Sequence, residues 1–499
     1  MTPLPAGADR PLCSALAEWS VGLRADALTP VARARARDAI IDVLGCIHAG
    51  ARTGTVRTVA VSQAGAGRGP ARAIGLDLGY PAASAALING TAAHVLDYDD
   101  NFFPAITHAS AVLVPALLAL GDERGSPMEA VLLAYVAGLE IQARLGLRAN
   151  PGHYEAGWHA TSTLGTIGAA GACAKLLGLD VGETANALSL AASLAGGSKL
   201  QFGTSAKPAH AGFAAMHGVL AATLAAAGLD GCHGIFEGPW GFLAHHAGDG
   251  PGPAEDPSAD GLAIERYGLV AKLYPSCMSS HLGIDGILAL HGEAAIDPAD
   301  VAGIHIEMPD FMIRNLRFTE PADGTEAKFS MNHCAAIAVI EGAPRIAHFT
   351  DACAHRADLR AIGRTVTMAP RRPDRSLPWG GDARVAIRTR SGSRREVVVR
   401  HPKGSIGNPL SDAEALAKFR DCCAMNLDPD AVAAVEEQVF GDWSRLDVAQ
   451  VTRGFLHAGG GSGPGEQALT PARPSVDVDL GAELAPGAGM VAPDRPREI

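Results

Sequence analysis

The chain has 499 residues, 47% of them apolar and only 19% charged, so a sizeable core is available and wholesale disorder is excluded. Its 53 acidic and 41 basic side chains give a formal net charge of −12. That balance speaks against a general nucleic-acid binder, whose affinity rests on Lys and Arg neutralising phosphates.

No uninterrupted apolar run reaches the roughly 18 residues that a membrane helix needs. The best stretch, Ala209–Ala227, is broken by His210, Gly212, His217 and Gly218. Asp9 and Arg10 stand where a signal peptide would carry its apolar core. The expectation is a soluble, cytoplasmic protein with neither membrane nor nucleic acid as partner. Cys13, Cys46, Cys173, Cys232, Cys277, Cys334 and Cys353 are scattered and Cys422–Cys423 adjacent, with no C-x-x-C pair. Buried reduced thiols are expected, not a disulfide scaffold, a zinc ribbon or an iron–sulfur cluster.

From about 26 to 268 the chain reads as helices rich in Ala, Leu and Gly. Thr29-Pro30 predicts an N-cap and first turn, and Gly50 a stop. Ser126-Pro127-Met128-Glu129 has the spacing of a capping box, and Asp180 with Glu183 opens another helix. After about 270, Ile304–Met308 alternates apolar and polar like a half-buried strand. Ala383–Thr389 and Arg395–Arg400 alternate around Ser391-Gly392, a predicted hairpin. Helical character returns in Asp412–Arg420 and Asp430–Phe440. The Gly- and Pro-rich stretch 457–499 reads as a disordered tail.

Four polar clusters interrupt the apolar texture. The first, His94–Asn101 followed by Thr107-His108, places three carboxylates at the end of a helix predicted from about Pro81 to Leu96. Acids there oppose the helix dipole, which predicts raised pKa values. No spacing in this cluster specifies a metal. The second is Gly157–Thr163, with His159 at a helix entry. The third is Gly203–His210, where Pro208 fits the first turn of a helix and puts Lys207 at its N-terminus. An ammonium there is unfavourable for stability but suits a carboxylate ligand, which backbone N–H groups also hold. A lysine-bound aldehyde cofactor is the main rival, weakened because no Gly-rich phosphate cradle accompanies Lys207. The fourth cluster, Lys272–His281, falls where the second domain begins. Alone, these clusters indicate an acid/base enzyme with a carboxylate-holding lysine.

Taken in order, His94–Asp100, Gly157-Trp158-His159, Gly203–Lys207, Lys272–His281, Ala327–Met331 and Gly407–Ser411 resemble the MmgE/PrpD family over about 12 to 450. That family includes 2-methylcitrate dehydratase, cis-aconitate decarboxylase and iminodisuccinate epimerase. The resemblance implies a mainly α fold, a large all-helical domain with an inserted α+β lid. The implied segments are a helical domain over 12–268, a lid over 269–402 and returning helices over 403–456. It implies a homodimer, with no metal and no cofactor.

Carried over by motif, it implies Asp97, His108, His159, Lys207 and His281 as catalytic residues. Asn101, Thr204, Lys272 and His333 would contact the substrate, a small carboxylic acid. His159 and Asp97 are the base and acid candidates, Lys207 and His108 the holders of a carboxylate. His281 and His333 would close the site from the lid. The chain departs from the common pattern at Asn101, at His333 in place of a phenol, and at Met278 and Met216 in place of arginines. The first expectation is a dehydratase acting by proton abstraction next to a carboxylate. The alternatives are a decarboxylase of a cis-aconitate-like acid or a dicarboxylate epimerase, and beyond these a non-catalytic ligand-binding member.

Overall fold

A computed structural model describes residues 10–76, 78–247, 261–374 and 376–456. The tail predicted over 457–499 lies outside the described residues. The first core is helical. Thr29 caps Pro30–Gly50 by accepting the Ala32 N–H at 3.1 Å, with Pro30 opening the first turn. Asp180 and Glu183 form the expected reciprocal cap. The Ser126–Glu129 box does not form. Pro127 takes the cap position, and the Glu129 carboxylate instead accepts from Arg33 Nη1 at 2.6 Å.

The helices that position the site are Ala82–His94, Ala109–Arg124, Met128–Ala149, Ala160–Leu177 and Ala206–Ala226. Met128–Ala149 and Ala206–Ala226 are long and apolar enough to cross a membrane, which the broken run at 209–227 did not predict. Both are core helices here, with 83% and 61% of their most apolar stretches buried. Small residues let these helices approach almost to backbone contact. A Cβ on Gly212 would lie 2.3 Å from Leu87 O, and one on Gly218 would lie 2.3 Å from Ala169 Cβ.

A short hairpin, β1 (Ala71–Ala73) with β2 (Leu78–Tyr80), went unread in the sequence because each strand has only three residues. The second core surrounds a sheet of β3 (Val301–Pro309), β4 (Val366–Arg371), β5 (Ala383–Thr389) and β6 (Arg394–Val399). Its order is β4-β3-β5-β6, parallel only between β3 and β4. The hairpin between β5 and β6 turns at Gly392, whose φ of 94° suits glycine. Asp412–Cys423 then packs back on Pro30–Gly50, with Lys418 bonded to Asp42 at 2.7 Å.

Candidate active site

Close helix packing brings several helix ends to one place. His108, His159 and Ser205 are the N-cap residues of Ala109–Arg124, Ala160–Leu177 and Ala206–Ala226. None of the three side chains caps its own helix, so both imidazoles are free for other partners. The His108 N–H donates to Thr161 Oγ1 at 3.0 Å, which ties two of these ends together. Three positive dipole ends converge on a site where negative charge is favoured.

The helix Ala82–His94 ends there with the opposite polarity. The carbonyls of its C-cap Val95 and of the loop just beyond are met by lysines from distant parts of the chain. Lys328 Nζ donates to Val95 O at 2.8 Å, Lys272 Nζ to Asp97 O at 2.9 Å and Lys418 Nζ to Tyr98 O at 2.7 Å. Each ammonium satisfies a carbonyl that the helix cannot. Asp97 adopts φ of 51°, a left-handed conformation that Asp tolerates better than most residues. Its carboxylate lies 2.7 Å from Lys207 Nζ on one oxygen and in contact with Lys272 Nζ on the other.

These lysines reverse the pKa expectation from the dipole. Burial alone would push the Asp97 carboxyl up, but Lys207 and Lys272 hold it well below the usual range. Asp99 is also held low despite burial, because His94 and His108 flank it. Only Asp100 follows the predicted direction, raised to about 7 by burial, although Ser110 hydrogen-bonds it. Lys207 is not an uncompensated cation either. It is buried, paired with Asp97, and stacked over Phe202 and Phe329 at 5.4 and 5.1 Å.

Four imidazoles cluster beside these carboxylates. His94 Nδ1 donates to both Asp99 oxygens, at 2.9 and 3.0 Å. His108 Nδ1 sits 3.0 Å from Asp99 Oδ2, close enough to pair but not aligned for a hydrogen bond. His159 Nδ1 faces His210 Nδ1 at 2.9 Å, so one ring carries its proton there and the other accepts. Burial pushes His108 down to about 3 and His159 well below its ordinary value, and the Lys207 charge adds to the effect on His159. Both are neutral bases at neutral pH.

A cavity of about 490 Å³ opens above this arrangement, within the ~300–1,000 Å³ of ligand sites. Asp97, Asn101, His108, His159 and Lys207 line it. Asn101 Oδ1 is buried without a partner, an acceptor left over at the cavity wall. The other named residues do not line it. Lys272 is fully buried behind Asp97. Thr204 is exposed and spends its hydroxyl on Gln201 O at 2.9 Å, shaping the turn before the helix. His281 packs its ring 5.0 Å from Tyr274, with Nε2 3.3 Å from Ser276 O, while Cys277–Ser279 and Leu282 take the cavity side. His333 pairs with His348 O at 2.9 Å beside a separate crevice, so it does not replace a phenol at this cavity. Asp99 and His210 emerge as unforeseen partners. Asp99 lay inside the quoted acidic cluster and His210 at the end of the Gly203–His210 cluster, but neither was given a role there.

His94, Asp97, Asp99 and His108 each offer a ligand atom within 4.8 Å of the others. Their carboxylate oxygens are already engaged. Both Asp97 oxygens face ammonium groups and both Asp99 oxygens face imidazoles. A cation would have to displace two lysines, so this donor set fits a proton-transfer network better than a metal.

Residues 14–253 match the MmgE/PrpD N-terminal domain and residues 274–442 the MmgE/PrpD C-terminal domain. The cis-aconitate decarboxylase of Homo sapiens is 30% identical over 297 residues, covering 57% of this chain and 61% of that protein. That of Mus musculus is 32% identical over 307 residues, covering 58% and 62%. The alignments thus span about three fifths of the mammalian proteins' length. The cis-aconitate decarboxylase of Aspergillus terreus is 25% identical over 454 residues, 86% of this chain and 92% of that protein.

Proposed function

The chain belongs to the MmgE/PrpD family, and on that premise we propose that it is a cofactor-independent carboxy-lyase acting on an aconitate-type unsaturated acid. The observation that carries this reading is the convergence of His108, His159 and Lys207 on one cavity beneath three helix N-termini. Dehydration, the first expectation, needs the same groups with a C–O bond aligned. The names of the relatives favour the decarboxylase alternative.

Breaking the bond to a carboxylate releases CO2 and leaves an electron pair on carbon. In an alkenyl acid that pair forms a new C=C bond while a proton is added to the far alkene carbon. One proton enters and one CO2 leaves. His108, backed by Asp99, is assigned as the proton donor. A substrate carboxylate beside it adds negative charge and raises its pKa from about 3 towards working pH. Lys207 and the helix N-termini neutralise a carboxylate that stays on the product. His159, hydrogen-bonded to His210, is the second proton-handling group.

The test is proton NMR of cis-aconitate and citrate-like acids with purified protein in deuterated water, with CO2 measured in parallel. CO2 release with deuterium entering the product is expected. Water loss without CO2 would restore the dehydratase reading, and deuterium exchange alone would favour epimerisation.

A further inference from the structure

The cavity has two unlike sides. Among the described lining residues Lys207 is the one ammonium, already paired with Asp97, and there is no guanidinium. Asp97 takes up Lys207 together with Lys272 from behind, and Glu155 adds a further negative charge to the lining. A compact tricarboxylate would bring three charges into a space with little cationic surplus, although buried carboxylates need charge-assisted partners. The cavity is also larger than a six-carbon acid requires, and the lid side is mainly apolar, with Phe311, Met312, Leu377 and Trp379 beside Asn315 and Ser376.

That side is built with care. Trp379 donates its Nε1–H to Arg400 O at 2.9 Å, which satisfies the polar edge and leaves the ring as a hydrocarbon surface. Phe103 meets it edge-on, with ring centroids 6.0 Å apart. Phe311 lies over Gly380, where a Cβ would come within 2.8 Å of its ring. Ile106 also lines the cavity, with φ of 53°, a left-handed conformation costly for a β-branched residue. Such strain persists only where surroundings enforce it. Here Phe102 and Thr107 exchange backbone hydrogen bonds of 2.8 and 3.2 Å around the turn, and Asn150 Nδ2 holds Ala105 O at 2.8 Å. The loop thus keeps a strained aliphatic side chain on the cavity wall.

We propose that the substrate carries an extended apolar substituent, alkyl or aryl, on its carboxylic-acid core, and that Ile106, Phe311, Leu377 and Trp379 form its subsite. This rests on the reading of the cavity as the site of an acid-processing lyase. The acid head lies on Lys207 and the histidines, and the substituent extends towards the lid. Unsubstituted cis-aconitate leaves that wall wet and is the poorer substrate.

Calorimetric titration of the full chain with succinate, 2-benzylsuccinate and 2-octylsuccinate tests the subsite apart from the reaction. Burial of several methylenes should make octylsuccinate bind on the order of tenfold tighter than succinate, or more. Trp379→Ala and Phe311→Ala should bring that ratio back towards one. Leu377→Ala is the milder substitution on the same wall, should either variant fail to fold. Equal binding of the two acids by the wild type overturns the proposal, as does a preference unchanged in a folded wall variant. Alkyl-substituted cis-aconitates should also exceed cis-aconitate in kcat/KM. CO2 release fastest from cis-aconitate itself removes the proposal but keeps the lyase reading. An octylsuccinate preference lost in the wall variants, with no CO2 from any acid, keeps the subsite and removes that reading.

Discussion

The floor and the lid-side wall of the cavity solve opposite physical problems. The floor concentrates charge out of water: Asp97, Asp99, Lys207 and Lys272 are all buried, Asp97 paired with the two ammonium groups and Asp99 hydrogen-bonded by His94. The wall around Phe311, Leu377 and Trp379 has the hydrogen-bonding edge of its tryptophan tied off. A floor of this kind tolerates little change, because removing one partner strands another charge. Resizing such a wall costs packing but strands no charge. On the proposed reading, chemistry is tied to the helical side and substrate choice to the lid side.

The sharpest way to break this contrast is at His108. His108→Gln should lower turnover by about 10²- to 10⁴-fold, the usual contribution of a general acid or base, with the fold retained. Rates of CO2 release and a circular-dichroism melt on one preparation check both halves. Retained activity would remove His108 from proton transfer.

Lys272→Met comes next and should act on stability. It leaves the Asp97 carboxylate with one ammonium and strands Asp97 O, at a cost of about 3–5 kcal/mol, read by urea unfolding. Lys207→Met, nearer the ligand, should lower kcat/KM by about 10- to 150-fold. It should also destabilise the protein, because it removes a partner of Asp97. The dipole alone would favour the loss of this cation, so a rise in melting temperature would show that the pair with Asp97 contributes nothing.

A smaller effect is expected at Asp100. Burial raises its carboxyl to about 7, so the folded state binds that proton more tightly than the unfolded chain. Its stabilising contribution is fully present below the unfolded value of about 3.9 and is lost as pH rises through about 7. Asp100→Asn should therefore gain in melting temperature relative to wild type as pH rises from 4 to 8. A difference that does not change with pH would place the ionisation elsewhere. The smallest effect is expected from a chelator. Dialysis should leave activity within error, since the acidic pair is matched by lysines and histidines; loss restored only by a divalent ion would overturn this.

Much of the floor was legible in the chain. Within helices made of Ala, Leu and Gly, a run such as His94–Asn101 has no packing reason to exist, and Lys207 behind Pro208 is marked by its place in a helix start. His159 and His108 were legible for the same reason. Other roles were hidden. The pKa directions of Asp97 and Asp99 depend on Lys207, Lys272 and His108, and a local dipole argument missed these partners. His281 and His333 stand in motifs as conspicuous as the others, yet which face of a short helix meets the cavity depends on how the lid packs.

The sequence by itself determined the family, the alternation of helix and strand, and most of the polar residue types that gather at the cavity. These are properties of local pattern, where caps, periodicity and polar interruptions act over a few residues. Tertiary structure alone decided which charges are paired and which side chains reach the cavity. Asp97 and Lys272 are 175 residues apart, and Trp379 faces Phe103 across the domain seam. Electrostatic pairing and cavity shape depend on distances in space, and only packing at the small residues of the helices brings those groups together.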